Sequence, residues 1–152
     1  MILVFLWKKH KRFVKILKLV VELPAIHIVM AISLGFLDIE RSKMFYHYRQ
    51  NNSGGGFDCD DNVHMNVIIE ANSANQANNK AKSIGIYFDG VGKNMDCDCC
   101  GDRWSCVDDD DGTEVPSMYG TSLNEFQADS YFVKDGVKAI VYYADGRKEI
   151  VK

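Results

Sequence analysis

The chain has five cysteines, and three of them crowd into Cys97-Asp98-Cys99-Cys100, followed by Gly101. A Cys-x-x-Cys-Gly step can curl backbone amides around thiolate sulfurs, and Cys106 and Cys59 are available to complete four sulfur ligands around zinc. A specific zinc signature has two such steps at a sensible separation. This chain has one, with His47 and His64 as substitute ligands. Structural zinc supplies on the order of 10–16 kcal/mol of apparent binding energy in small peptides, so a zinc here would dominate stability. Three other readings stay open: reduced structural thiols, a disulfide from Cys97 or Cys99 to Cys106, and an enzyme thiolate whose pKa Arg103 lowers. A reducing cytoplasm disfavours the disulfide. No cofactor is settled by the sequence; zinc is the one that the metal reading names, through Cys97, Cys99, Cys100 and Cys106, and reduced structural thiols are the stronger expectation.

Other spacings carry less. Asp108-Asp109-Asp110-Asp111-Gly112 invites a calcium loop, but counting back from Gly112 puts Val107 where an oxygen ligand is needed, and Met118 replaces the distal Glu. A solvated acidic turn is the expectation, and with Asp96, Asp98 and Asp102 it gives this end a negative field that disfavours a phosphate backbone. Gly54-Gly55-Gly56 has no Lys-Ser/Thr after it and opens no helix, so it is no phosphate loop. Ser53, Ser73, Ser117 and Ser122 lie in no G-x-S-x-G elbow, and the histidines form no H-E-x-x-H pair. No catalytic constellation is indicated.

The elements that must position these residues follow from periodicity. Phe45 to Gln50 alternates aromatic and polar, and Asn51 to Gly56 reads as a turn or flexible loop. Val63, Met65, Val67, Ile69 and Ala71 recur with period two against His64, Asn66 and Glu70, predicting a half-buried strand antiparallel to the first. Ser73 is a helix N-cap with Gln76 completing a capping box; Ala74, Ala77, Ala81 and Ile84 share the buried face, and Gly85 ends the helix. The Asn75, Gln76, Asn78, Asn79, Lys80 and Lys82 face reads as ordinary solvated surface. Tyr131 to Lys134, Val137 to Ala144 and Arg147 to Val151 are separated by Asp135-Gly136 and Asp145-Gly146, which suit two-residue type I′ turns and predict a C-terminal β-meander. The expected class is α+β: an antiparallel sheet of about five or six strands with one short helix on one face.

Charge divides the 152 residues. Residues 1–43 hold eight Lys/Arg against three Asp/Glu, whereas residues 44–152 hold ten against eighteen. Ile16 to Leu37 has the length of a membrane span with the basic block Lys8 to Arg12 before it, yet Lys18, Glu22, Pro24 and His27 interrupt its first half. Each charge near the bilayer centre costs roughly 2.5–3.5 kcal/mol on insertion scales. Lys8 to Lys18 also suits a basic amphipathic helix on a membrane surface. Glu40-Arg41-Ser42-Lys43 before Met44 can be encoded as GAA AGG AGT AAA ATG, a ribosome-binding sequence ahead of a start codon. The expectation is thus an N-terminal extension over 1–43, arising from a misplaced start or serving as an anchor, and a single α+β domain over 44–152.

Phe45-Tyr46-His47-Tyr48-Arg49-Gln50-Asn51-Asn52-Ser53-Gly54-Gly55, Val67 to Ala71, Ile84 to Val91 and Cys97 to Trp104 resemble a family of short uncharacterised tailed-phage proteins. The resemblance covers about Met44 to Gly120; residues 1–43 depart from it. It implies a phage origin and the bacterial host cytoplasm, with membrane attachment the alternative if residues 1–43 are genuine, and it carries no established reaction. The function expected is a small non-catalytic phage accessory protein binding a host protein or a small signal molecule during takeover or counter-defence. The alternative is a zinc-stabilised binding domain built on the Cys97–Cys100 step and directed toward nucleic acid, a partner the acidic field does not favour. The expected contact surface combines Tyr46, Tyr48, Arg49, Gln50, Asn51 and Asn52 with Asp102, Arg103 and Trp104, since Arg and aromatic residues are enriched at binding hot spots. Core packing of Tyr46, Tyr48 and Trp104 is the competing reading.

Overall fold

The computed structural model describes residues 42–127 and 133–152. The expectations for the N-terminal extension, and for a strand at Tyr131 and Phe132, fall outside the described residues. Two strands come first, β1 (Met44–Arg49) and β2 (Asn66–Ala71), paired antiparallel from Met44 opposite Ala71 to Arg49 opposite Asn66. Helix α1 (Ala74–Ser83) follows, then a two-stranded hairpin of β3 (Ser117–Met118) and β4 (Thr121–Ser122), and finally β5 (Ala139–Tyr142) and β6 (Lys148–Val151). The main sheet runs β1-β2-β5-β6.

This is an α+β arrangement, but among the described residues the expected antiparallel sheet of five or six strands is a mixed sheet of four beside the small β3–β4 sheet. β5 lies parallel to β2, Val67 opposite Ile140 and Ile69 opposite Tyr142. Parallel neighbours need a crossover connection, and residues 72–138, carrying α1, provide it. The expected meander reduces, among the described residues, to the β5–β6 hairpin and a single bridge between Lys134 and Val137. Asp135 and Gly136 both take positive φ, 53° and 74°, as a type I′ turn requires. The second turn differs. Tyr143 N donates to Arg147 O at 2.9 Å and Gly146 N to Tyr143 O at 3.0 Å, so Ala144-Asp145-Gly146 is a three-residue loop with only Gly146 left-handed, at φ 92°.

Both faces of the sheet are covered. On one, Tyr46, Tyr48, Val67, Ile69, Ile140 and Tyr142 pack with Ala74, Ala77 and Ala81 of α1 and with Ile86, Trp104 and Val107. On the other, Phe45, Ile68, Ala139 and Val141 pack with Met118 and Leu123. β2 is therefore central and buried on both sides, not half-buried: the face expected to be polar includes Ile68, fully buried, and Asn66, whose Nδ2 donates to Lys138 O at 3.0 Å. Each fully buried aliphatic side chain here contributes about 1.5–3 kcal/mol.

The α1 cap follows the expectation with one change. Ser73 Oγ accepts from Gln76 N at 3.3 Å, while Gln76 Oε1 reaches back to Asn72 N rather than to Ser73. Ala74 N is satisfied by Asp109 Oδ1 at 2.8 Å, so the acidic turn, Asp109–Asp111, pins the start of the helix from a distant loop. A carboxylate there also suits the positive end of the helix dipole. Among the described residues no helix is long and apolar enough to cross a membrane.

Candidate functional site

Arg103 organises one side of the molecule. Its side chain is only 11% exposed, so its donors must find partners inside. Nη1 donates to Gly56 O at 2.7 Å and Gln50 Oε1 at 3.2 Å, Nη2 donates to Ser53 O at 2.7 Å, and Nε lies 3.1 Å from Asp58 Oδ2 and 3.2 Å from the Tyr87 hydroxyl. Its backbone N–H donates to Asp96 Oδ2 at 2.7 Å, and Tyr87 donates to Asp96 Oδ1 at 2.8 Å. The Asp96 side chain is fully buried. Burial and then the bond to Asp96 hold the Tyr87 pKa above the usual phenol value. Gly90 permits this packing: a methyl group there would collide with the Asp96 carboxylate and the Tyr87 ring. The glycine-rich loop is thus no free-standing turn; it is clamped onto the 96–103 segment by one guanidinium.

The cysteine step sits on that clamp. Cys97 N donates to Ser53 Oγ at 3.0 Å, and Asn51 Nδ2 donates to Cys100 O at 2.6 Å and Asp102 O at 3.3 Å. Cys100 N and Gly101 N both donate to Cys97 O at 3.0 Å, closing the knuckle, with Gly101 at φ 80°. The sulfurs of Cys97, Cys99 and Cys100 all lie within 4.8 Å of one another, and those of Cys99 and Cys100 are 3.5 Å apart. Donation from the thiols and backbone amides of Cys99 and Cys100 lowers the Cys97 pKa below the usual thiol value. The Cys99 thiol, as a donor to Cys97 and Cys100, is pushed up to about 11. Cys106 and Cys59, expected to complete a four-sulfur set, lie outside this cluster, and all five cysteines are free thiols.

A different constellation forms on the opposite face of β1. Period two sends Tyr46 and Tyr48 to the α1 side, where burial raises the Tyr48 pKa and its hydroxyl donates to Asn78 Oδ1 at 2.9 Å. His47 and Arg49 point the other way, toward the β3–β4 turn, Tyr119-Gly120. Both turn residues have positive φ, 52° and 79°. A tyrosine in that conformation is strained, because type I′ turns favour Asn, Asp or Gly there. The His47 ring meets the Tyr119 ring edge-on at 5.3 Å, and the Arg49 guanidinium carbon lies 5.3 Å from the same ring centre. Together with Ser105, Cys106, Val107, Asp111, Thr113 and Ser117 they line an open depression of about 380 Å³. Small-molecule sites span roughly 300–1,000 Å³.

Its charges are defined. Asn66 Nδ2 is committed to Lys138 O, so its Oδ1 faces His47 Nε2 at 3.0 Å, and that ring nitrogen carries the proton. Burial outweighs this bond and lowers the His47 pKa, leaving the ring neutral near pH 7. Among the described lining residues Arg49 is then the positive charge and Asp111 the negative one. The Thr113 and Ser117 hydroxyls donate to Val115 O at 2.8 and 2.9 Å, so they meet a ligand as acceptors.

The expected contact surface is thus divided. Tyr46, Tyr48, Gln50 and Trp104 are buried in the interior, Arg103 is the clamp, and Asn51 and Asp102 brace the cysteine knuckle. Asp102 Oδ1 accepts from Val91 N at 2.8 Å. Asn52 is exposed on the glycine-rich loop, and Arg49 is exposed on the far face. Sequence reasoning missed Tyr119, whose signal was the Gly120 that follows it between two short polar-apolar pairs. It also missed Asn78, assigned to solvated surface: its Oδ1 accepts from Val107 N at 3.1 Å and its Nδ2 donates to Val107 O at 2.9 Å.

No curated protein and no solved structure matches the chain. A family model described as Domain of unknown function (DUF7296) matches residues 43–151, which include both the cysteine knuckle and the β1 depression, and the chain belongs to that family.

Proposed function

We propose that this protein is a small non-catalytic phage accessory protein that binds a small signal molecule of the host, of nucleotide type, in the depression between β1 and the β3–β4 turn. The observation that carries the reading is the Arg49 guanidinium held 5.3 Å from the ring centre of a strained, 45% exposed Tyr119 at the rim of that depression. A guanidinium donates to a phosphate in a bidentate fashion, and an exposed tyrosine ring offers a face on which a flat heterocycle stacks. The hydroxyl oxygens of Thr113 and Ser117 and the carboxylate of Asp111 are acceptors, which suit the amino group of a purine or cytosine. The phage origin and the role in takeover or counter-defence rest on the resemblance of the Tyr46–Gly55 and Cys97–Trp104 runs.

Calorimetric titration of the full chain with AMP, GMP and their cyclic dinucleotides tests this. At least one binds with one-to-one stoichiometry. Arg49→Ala weakens it by about 10- to 100-fold, the equivalent of a charge-assisted hydrogen bond of about 1.5–3 kcal/mol. Tyr119→Gly removes the ring while easing the backbone at φ 52°, so a loss of binding without loss of thermal stability isolates the stacking contact. Retained binding in both variants, or no binding by any of the nucleotides, contradicts the reading; a host protein captured through the same face would replace it.

A further inference from the structure

We infer that Cys97, Cys99 and Cys100 bind one zinc ion as three thiolates, with the fourth tetrahedral position open to solvent. This goes beyond the ligand reading and does not depend on it, because none of the three cysteines lines the depression. Zn–S bonds of about 2.3 Å at tetrahedral angles place sulfurs roughly 3.8 Å apart. The Cys99 and Cys100 sulfurs are already at 3.5 Å, and all three fall within 4.8 Å, separations that bracket this spacing. The thiol donors are soft, which selects zinc or copper(I) over magnesium and calcium.

The knuckle is built before any ion arrives. The amides of Cys100 and Gly101 both donate to Cys97 O at 3.0 Å, which closes the step into a tight turn that presents the three sulfurs together. Ser53 and Asn51 fix the two ends of the step through Cys97 N and Cys100 O, and the Arg103 clamp holds both of those residues' loop in place. Outer partners of this kind orient ligands and tune affinity. On binding, the thiols lose their protons to solvent as the Zn–S bonds form, so affinity rises with pH. Three protein ligands with an open fourth position is the pattern of a site that takes an exogenous ligand. Its exposure, with Cys99 and Cys100 at the surface, leaves that position accessible to a donor from a partner.

The test is metal analysis of the full chain, purified with a phosphine reductant and no added metal, followed by zinc titration against a chromophoric chelator and cobalt(II) substitution. One equivalent of zinc is expected in the wild type and in Cys59→Ser and Cys106→Ser, with a thiolate-to-cobalt charge-transfer band in the near ultraviolet. Cys97→Ser and Cys99→Ser should weaken zinc by more than the roughly 10- to 100-fold that disturbing an outer partner costs. Cys99 is exposed, so its replacement leaves folding intact and keeps the result interpretable if Cys97→Ser unfolds. Substoichiometric metal or an equal loss in Cys106→Ser would overturn the site, and one equivalent of copper in place of zinc would overturn the assignment of zinc to it.

Discussion

Arg103 has no conformational freedom to recognise anything, because its guanidinium is engaged by Ser53, Gly56, Gln50, Tyr87 and Asp58, and its amide by the buried Asp96. Replacing it by Ala removes these bonds and takes away the guanidinium 3.7 Å from the buried Asp96 carboxylate. Breaking a buried pair of this kind typically costs about 3–5 kcal/mol. Urea unfolding should show Arg103→Ala destabilised by that order, with Arg103→Lys also impaired because an ammonium lacks the planar fork. The sequence placed Arg103, Asn51 and Asp102 in a wider contact surface with Tyr46, Tyr48, Arg49, Gln50, Asn52 and Trp104; the structure joins Asn51 to the Asp102 carbonyl and Arg103 to Gln50. What it could not convey is that Arg103 spends its donors on the carbonyls of Ser53 and Gly56, that Asn51 donates to those of Cys100 and Asp102, and that the Asp102 carboxylate accepts from the Val91 amide, which turns exposed hot-spot types into an internal brace. The cysteine step was legible for the opposite reason: a Cys-x-x-Cys-Gly knuckle is closed by its own backbone, whereas the membership of Cys59 and Cys106 depended on tertiary placement that spacing does not encode.

At the scale of elements, the two-residue repeat of β1 decides the architecture of the depression lined by His47 and Arg49. Alternation was visible from Phe45 to Gln50, and so was the antiparallel partner strand, because period two needs no long-range information. The consequence that one strand faces two different environments is also implicit in that repeat, and it separates Tyr46 and Tyr48 from His47 and Arg49. The parallel β2–β5 pairing was not legible, since it depends on how residues 72–138 return across the sheet. Nor was the role of the Asn-rich helix face: Asn78 satisfies both backbone groups of Val107 and the hydroxyl of Tyr48. Asn78→Ala would strand those groups, each costing roughly 1–3 kcal/mol where water is excluded. The prediction is a lowered unfolding midpoint for Asn78→Ala, while Asn79→Ala on the exposed helix surface changes it by less than about 0.5 kcal/mol.

For the whole molecule, the two histidines among the described residues couple stability to pH. His47 and His64 both have pKa values lowered by burial below the usual 6.5, and His64 Nδ1 is buried without a partner. The unfolded chain therefore binds protons at a higher pH than the folded one. Their contribution is fully present above about pH 6.5 and is lost as pH falls through the folded values, with a slope of up to about 1.4 kcal/mol per pH unit for each. Unfolding free energy should drop between pH 7.5 and 5.5, and His64→Gln should flatten that dependence; an unchanged profile would mean that His64 is solvated.

The ligand reading is tested most directly by titrating the isotope-labelled full chain with the same purine nucleotides and mapping amide shifts. Saturable changes centred on His47, Arg49, Thr113 and Tyr119, with the Cys97–Arg103 knuckle unmoved, are the predicted result. Changes confined to the knuckle, or none at millimolar nucleotide, would contradict it.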